Sequence, residues 1–185
     1  MNILLSGSTG FIGRALLDRL LSEPELGVFE AGRQPSSSDR YTCVGDIHGD
    51  TDWSQALQDI QVVVHLAGRA HVVNPVAGDV PETFQAINVD GALNFARQAI
   101  SAGVKRFIFI SSIGVNGSQT SAQPFSELSM PEPQAAYAKS KYAAELGLQA
   151  LARQSSMQLV IIRPPLVYAA QAPGNFHRLL KLAAS

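Results

Sequence analysis

A single cysteine, Cys43, occurs in the 185 residues, so no disulfide can form within the chain and a small cross-linked secreted scaffold is excluded. The lone thiol suits a reducing compartment and is expected as a buried structural residue. Charge is sparse and balanced. Charged residues make up 16% of the chain, the formal net charge is −1 and 46% of residues are hydrophobic. These values exclude both a disordered chain and a nucleic-acid surface built on bulk positive charge. No run approaches the ~20 apolar residues of a membrane-spanning helix. The amino terminus has no basic segment and its first apolar run is only Ile3–Leu5, so neither a signal peptide nor membrane attachment is expected. A cytoplasmic protein without a metal site is the resulting expectation. Asn116-Gly117-Ser118 matches the glycosylation pattern, which has no consequence without secretion.

What is present is an alternation. Apolar runs bounded by turn residues recur between helical patterns, and runs apolar on both faces indicate strands buried between helix layers. The spacing predicts strands at Asn2–Ser6, Val28–Ala31, Tyr41–Val44, Val62–Leu66, Phe107–Ser111 and Leu159–Arg163. Helices are predicted over Phe11–Leu21, Thr51–Gln58, Pro81–Ala102 and Gln134–Gln154, with Asp52 or Thr51 capping the second. The class is α/β, a Rossmann-type doubly wound parallel sheet with helices on both faces. Two long loops, 67–80 and 114–133, leave the carboxyl ends of strands, where ligands of open α/β sheets bind. The terminal FHRLLKLAAS, Phe176–Ser185, reads as an amphipathic helix with nothing to pack on. We therefore expect a dinucleotide-binding unit over 1–168 and the incomplete start of a substrate lobe over 169–185.

Three glycines, Gly7, Gly10 and Gly13, fall between the first strand and the first helix. A glycine at the strand end permits a tight turn, and a second leaves backbone uncovered so that a pyrophosphate can reach the first N–H groups of the helix, here those of Phe11, Ile12 and Gly13. The third lets helix and strand pack closely. The spacing is GxxGxxG, not GxGxxG. The second strand runs Phe29-Glu30-Ala31-Gly32-Arg33, with glycine where an acid would hold the ribose hydroxyls of NAD. The arginine that follows suits a 2′-phosphate, so NADP is somewhat favoured over NAD; a solvated loop arginine is the alternative, and Glu30 serves if the register is shifted. Asp46, with Ile47 beside it, either meets the adenine or is an ordinary turn aspartate.

Tyr137 and Lys141 are four residues apart, hence on one face of a helix. A phenol titrating at ~10 is a poor base at neutral pH, and a neighbouring cation favours its phenolate. Ser111-Ser112 closes the fifth strand and brings a hydroxyl to the same sheet edge. A serine that hydrogen-bonds a carbonyl or alcohol, a tyrosine that moves its proton and a lysine that tunes the tyrosine together describe hydride transfer.

GSTGFIG, HLAG (His65–Gly68), Asn88-Val89-Asp90-Gly91, FIFISS (Phe107–Ser112), YAKSK (Tyr137–Lys141) and RPPLVY (Arg163–Tyr168) occur in the order found in extended short-chain dehydrogenases/reductases. The chain resembles the NAD-dependent epimerase/dehydratase proteins that act on nucleotide sugars, over essentially its whole length. The resemblance implies catalytic roles for Ser112, Tyr137 and Lys141, a cofactor border formed by Leu66, Ala67, Gly68 and Ser111, and a helix-holding role for Asn88. Pro164 and Pro165 would pass near the nicotinamide, or simply bend the chain. Val115, Asn116 and Asn175 would face substrate, and His65 is read as a packed strand residue without a catalytic role.

Dehydratases of that family carry an Asp-Glu pair after the strand-five hydroxyl, whereas this chain reads Ser112-Ile113-Gly114-Val115-Asn116-Gly117, so a 4,6-dehydratase is disfavoured. Asn116 replaces a tyrosine of many epimerases, and Ala169-Ala170 replaces Gly-Pro. Members usually exceed three hundred residues, so the resemblance implies a truncated chain. The expected activity is an NAD(P)-dependent epimerase or 4-ketoreductase acting at C4 of a nucleotide-activated sugar, with a UDP-sugar favoured. The alternatives are reduction of a non-sugar carbonyl and a nicotinamide-binding redox sensor without catalysis. The resemblance also implies a homodimer formed through the helices at Pro81–Ala102 and Gln134–Gln154.

Overall fold

A computed structural model describes residues 1–70, 81–120, 123–169 and 182. Six strands, β1 (Asn2–Ser6), β2 (Gly27–Gly32), β3 (Tyr41–Cys43), β4 (Val62–His65), β5 (Arg106–Ile110) and β6 (Gln158–Ile162), form one sheet. Their order is β3-β2-β1-β4-β5-β6 and every pairing is parallel. The chain winds outward from β1 to β3, then returns past β1 to build β4 to β6 on the other side. The carboxyl ends of β1 and β4 therefore diverge into a crevice, which is where this topology binds ligands. All six strands agree with the sequence reading to within one residue at either end.

Alternation within the strands explains the two faces. Ile3, Leu5, Val28, Val62 and Val64 point to one side, beneath Leu16, Leu17 and Leu20 of α1 (Phe11–Leu21). Leu4, Val63, Phe107 and Phe109 point to the other, where they pack with Phe95, Ala144 and Leu148. Each such side chain taken out of water contributes about 1.5–3 kcal/mol, and both faces are needed because the strands are apolar on both. Val160 and Ile162 on the edge strand β6 are 38% and 45% exposed.

The helical segment expected over Pro81–Ala102 is helical but not uniform. A short α2 (Pro81–Phe84) leads into a seven-residue π-helix, Gln85–Gly91, and then α3 (Ala92–Ser101). Asn88 and Val89 of the π-helix both face the interior. Gly91 is required there: a Cβ on it would stand 2.6 Å from Cγ2 of Ile47. The last helix, α4, spans Ala136–Arg153.

The helix expected over Thr51–Gln58 does not form, and the stretch is a run of turns. Tertiary contacts override propensity here. Trp53 is fully buried and stacks on Phe95 at 3.7 Å between ring centroids. Its backbone N–H donates to Oε1 of Gln98, while Asn94 and Gln98 both donate to the carbonyl of Thr51. Asp52 accepts from the N–H of Ser54, and the Thr51 hydroxyl donates back to the Asp46 carbonyl. Cys43 is exposed rather than buried, because it ends a three-residue strand on the sheet edge. Among the described residues no helix is long and apolar enough to cross a membrane.

Candidate functional site

The glycine turn is built as its spacing demands. Gly7 has φ +81°, and a Cβ on it would lie 2.6 Å from the backbone nitrogen of Ala67, so the turn runs directly against the chain leaving β4. At Gly13 a Cβ would stand 2.1 Å from the carbonyl oxygen of Gly7, so α1 packs onto the turn with no room for a side chain. Gly10 starts α1 in an extended conformation without a side-chain cap, and the first turn holds no acidic residue. The N–H groups of Phe11, Ile12 and Gly13 thus meet no capping side chain, and the positive end of the helix dipole faces outward. Such a cradle fits the pyrophosphate of a dinucleotide.

From this turn a cleft of about 610 Å³ runs along the sheet edge, bordered by Gly7–Gly10, Ala31–Gln34, Tyr41, Asp46–His48, Leu66–Arg69 and Ile87. Gly32 is the last residue of β2, and Glu30 does not line the cleft. The space left by Gly32 is taken by Tyr41, whose hydroxyl would stand 2.4 Å from a Cβ placed there. Burial is the main cause raising that phenol's pKa, with Cys43 and Glu30 adding to it. Arg33 reaches Asp46 at 3.7 Å, both side chains being about 70% exposed, so the guanidinium is loosely held and available at the rim. Ile47 lines the cleft and also packs on Gly91.

Lys141 marks the other end. It is 3% exposed, its Nζ lies 4.1 Å from the ring centroid of Phe109, and a Cβ on Gly68 would come within 3.7 Å of that nitrogen. The ammonium therefore sits against the wall of the same cleft. Burial pushes its pKa down to about 8, with Glu145 pulling the other way. Tyr137 is half-buried, its ring 6.3 Å from that of Phe84. Burial raises the phenol above its ordinary value, so it is protonated at neutral pH; burial and not a neighbouring cation sets the direction.

Ser112 begins a 3-10 turn, Ile113–Val115, where its Oγ accepts from the N–H of Gly114 at 3.1 Å and keeps its own hydrogen to donate. A Cβ on Gly114 would lie 3.4 Å from both this Oγ and the Cβ of Ala138, so the hydroxyl is placed near the first turn of α4. The chain that leaves β6 runs alongside: Ile113 donates to the carbonyl of Pro164 at 3.0 Å. Pro164 is half-buried and Pro165 exposed.

Asn88 ties three elements together. Its Oδ1 accepts from the N–H of Arg69 at 2.8 Å, and its Nδ2 donates to the Arg69 carbonyl and to Oγ of Ser140, each at 3.0 Å. His65 is a core residue as expected: 1% exposed, hydrogen-bonded through Nδ1 to Ser6 Oγ at 2.6 Å, and ringed by Phe95, Phe107 and Phe109. Burial and the nearby Lys141 charge push its pKa down to about 3, so the imidazole is neutral.

Three residues read as ligand contacts are interior instead. Ser111 is 3% exposed and its hydroxyl donates to Oε1 of Glu145 at 2.5 Å, so its side chain serves that carboxylate. Val115 is fully buried, and Asn116, 4% exposed, is engaged by Arg163 and by the carbonyl of Ser129. Both support the loop from inside, because the 3-10 turn rolls them under it. Asn175 lies outside the described residues. Sequence reasoning missed Glu145 and Arg163, which form an ion pair at 2.5 Å with the carboxylate fully buried and the guanidinium partly so. The available signal was the continuation of the four-residue spacing, Tyr137, Lys141, Glu145, in a helix otherwise rich in alanine.

Comparison with known proteins follows this geometry. The chain is 42% identical over 186 residues to the UDP-glucose 4-epimerase of Vibrio cholerae, covering 99% of this chain and 57% of that protein. It is 30% identical over 187 residues to the N-acetyl-alpha-D-glucosaminyl-diphospho-ditrans,octacis-undecaprenol 4-epimerase of Escherichia coli O157:H7, covering 99% and 54%. The crystal structure of UDP-glucuronic acid 4-epimerase from Bacillus cereus in complex with NAD superposes with a TM-score of 0.82 at 27% identity, over 100% of this chain and 63% of that one. This chain thus spans a little over half the length of the curated relatives it matches. Since residues 3–184 match the NAD dependent epimerase/dehydratase family, the chain belongs to that family.

Proposed function

We propose that this chain carries the coenzyme and catalytic half of an enzyme that acts at C4 of a nucleotide-activated sugar, a UDP-sugar, by NAD(P)-dependent hydride transfer. The observation that carries the reading is the position of the buried Lys141 ammonium next to Gly68, which lines the cleft that begins at the glycine turn. A binding module would need the turn but not a buried lysine one helical turn from a phenol.

On this reading residues 1–168 hold the coenzyme, whose nicotinamide supplies the site for hydride exchange with C4. The uncapped N–H groups of Phe11, Ile12 and Gly13 take the pyrophosphate, Asp46 and Ile47 take the adenine, and Leu66, Ala67 and Gly68 with Pro164 and Pro165 border the ribose and nicotinamide end. Arg33, with Gly32 in place of an acid, favours NADP over NAD through a 2′-phosphate. Ser112 donates to the C4 oxygen and fixes its direction. Tyr137, protonated at neutral pH, gives its proton to that oxygen when a ketone is reduced and takes it back when an alcohol is oxidised. Lys141, titrating near 8, is still charged at pH 7 and steadies the phenolate formed in the second case. In an epimerase the hydride returns to the opposite face; in a ketoreductase it stays on the product.

The test is incubation with UDP-glucose, UDP-N-acetylglucosamine and a 4-keto sugar nucleotide in the presence of each coenzyme, with C4 configuration followed by proton NMR. Inversion without net coenzyme consumption identifies an epimerase, and stoichiometric oxidation of reduced coenzyme identifies a ketoreductase. Tyr137→Phe should abolish turnover and leave coenzyme affinity within about threefold, a change of under 1 kcal/mol. Coenzyme binding with no turnover of any sugar nucleotide overturns the proposal. The same reading implies a homodimer through the 81–102 and 134–154 helices, which sedimentation of the isolated chain decides.

A further inference from the structure

Glu145 is fully buried on α4, one helical turn beyond Lys141 and two beyond Tyr137. Its carboxylate is saturated from the opposite side. Ser111, just past the end of β5, donates to Oε1 at 2.5 Å; Arg163, just past the end of β6, donates through Nε to Oε1 at 3.0 Å and through Nη2 to Oε2 at 2.5 Å. The remaining arm of Arg163 reaches Oδ1 of Asn116 at 3.2 Å, at the end of the Ser112 turn. One carboxylate therefore gathers the carboxyl ends of two strands, the turn that carries Ser112 and the helix that carries Tyr137 and Lys141.

Fold maintenance alone does not account for an ion pair at that place. Removing a carboxylate from water is costly, and a buried pair commonly gains nothing over apolar side chains of the same volume. The neighbouring positions Ala144 and Leu148 on the same helix are apolar and buried, so the site would accept one. What the charge does is act on its neighbour. Lys141 is buried against Phe109, Asn88 and Gly68, with His65 facing it from β4 and Tyr137 and Glu145 from its own helix. His65 is neutral, so Glu145 is the anion that opposes the desolvation of this ammonium. Arg163, with Tyr142 beside it, lies beyond Glu145 and fixes where that anion stands.

We propose that Glu145, clamped by Arg163 and Ser111, is the positioning residue of the site: it docks the Tyr137–Lys141 face of α4 onto the strand ends that present Ser112, and it is the counter-charge of the buried Lys141 ammonium. The proposal rests on the functional reading above for the roles of Tyr137 and Lys141, but its main readout does not. Lysine labelled at Cε reports each ammonium titration by NMR, and the chain has four lysines, so Lys141 is assigned by its loss in Lys141→Met.

Glu145→Gln should move the Lys141 midpoint down by at least about half a pH unit, because the charged form loses its partner. The alkaline limb of the kcat profile should move with it while coenzyme affinity stays within about threefold. Since a lone Arg163 destabilises that variant, Glu145→Met/Arg163→Met is measured beside it; apolar replacement of both partners is commonly tolerated, and the double variant, which loses a neighbouring cation with the anion, should show a smaller downward shift and about a tenfold loss of kcat. A Lys141 midpoint within about 0.2 units of wild type in both variants, or full kcat in the folded double variant, overturns the proposal. Absence of any sugar-nucleotide turnover in the wild type would instead count against the functional reading and leave the titration to decide this one.

Discussion

Replacing Gly13 by alanine sets two known effects against each other. In a helix, Gly→Ala ordinarily stabilises by about 1 kcal/mol on intrinsic propensity. At Gly13, however, the added methyl would lie 2.1 Å from the Gly7 oxygen, 2.8 Å from Cα of Ser8 and 2.9 Å from the carbonyl carbon of Gly7. All three are backbone atoms, so no side chain can swing aside. Restoring ordinary contact at about 3.5 Å requires the start of α1 to withdraw from the turn by more than about 1 Å. Overpacking of this kind costs about 1–3 kcal/mol, which outweighs the propensity gain and leaves a net loss of up to about 2 kcal/mol. The same withdrawal pulls the N–H groups of Phe11, Ile12 and Gly13 off the Gly7 corner, and we expect coenzyme affinity to fall at least tenfold. With coenzyme at 100 times its wild-type Kd, the wild type gains about 2.7 kcal/mol on binding, whereas a tenfold weaker variant gains about 1.4. Thermal unfolding with and without coenzyme reads both quantities. Gly10→Ala is the control for folding only, because its methyl would meet one atom, the Gly7 oxygen, at 3.2 Å, and its stability should suffer less; its methyl stands where the pyrophosphate approaches, so its binding is no control. A Gly13→Ala protein that melts higher than wild type and keeps the full coenzyme shift would refute the argument that close helix-to-turn contact forms the cradle.

Three further outcomes follow from single side chains. Arg33→Ala should weaken NADPH by about tenfold, near the value of one charge-assisted hydrogen bond, and leave NADH almost unchanged; equal losses for both would remove the 2′-phosphate role. Ser111→Ala takes a donor from the buried Glu145 carboxylate and should destabilise by about 1–3 kcal/mol with coenzyme affinity intact, whereas a selective loss of affinity would restore Ser111 to the coenzyme border. His65 titrates near 3 when folded and near 6.5 when unfolded, so between those values the unfolded chain binds more protons and stability falls as pH falls. The contribution is fully present above pH 6.5, and the slope approaches about 1.4 kcal/mol per pH unit below it. Urea unfolding at several pH values should show this slope reduced in His65→Gln, and an unchanged slope would exclude His65 as its source.

How much of this was legible in the sequence differs by element. Strand boundaries were, since a strand buried on both faces between turns leaves an unbroken apolar run, as in Ile3–Leu5 or Val62–Val64. The glycine turn was legible because Gly7 and Gly13 answer to steric demands that no other residue meets. The Ser112, Tyr137 and Lys141 set could be placed because a four-residue spacing on a helix survives small errors in its ends. The turns at 51–58 were not, because Trp53 stacking on Phe95 and the amides of Asn94 and Gln98 come from more than forty residues away and local propensity carries no trace of them. The burial of Asn116 was hidden for a related reason: its partner Arg163 arrives from the end of β6, forty-seven residues along the chain.

The interior beneath the site is polar in a fold whose core is otherwise apolar, and this follows from where the site lies. Strand ends leave backbone and side-chain groups that a helix dock must satisfy, and a buried lysine adds a charge to be balanced. Two clusters meet the requirement around Lys141: the neutral Ser6–His65 pair on β1 and β4, and the charged set of Ser111, Glu145 and Arg163, drawn from the ends of β5 and β6 and from α4. The two differ for a local reason: burial keeps the His65 imidazole neutral, whereas the Glu145 carboxylate holds three donated hydrogen bonds and is the charge that opposes the desolvation of Lys141. A second cation in place of His65 would push the lysine further toward its neutral form, and loss of the carboxylate would act in the same direction.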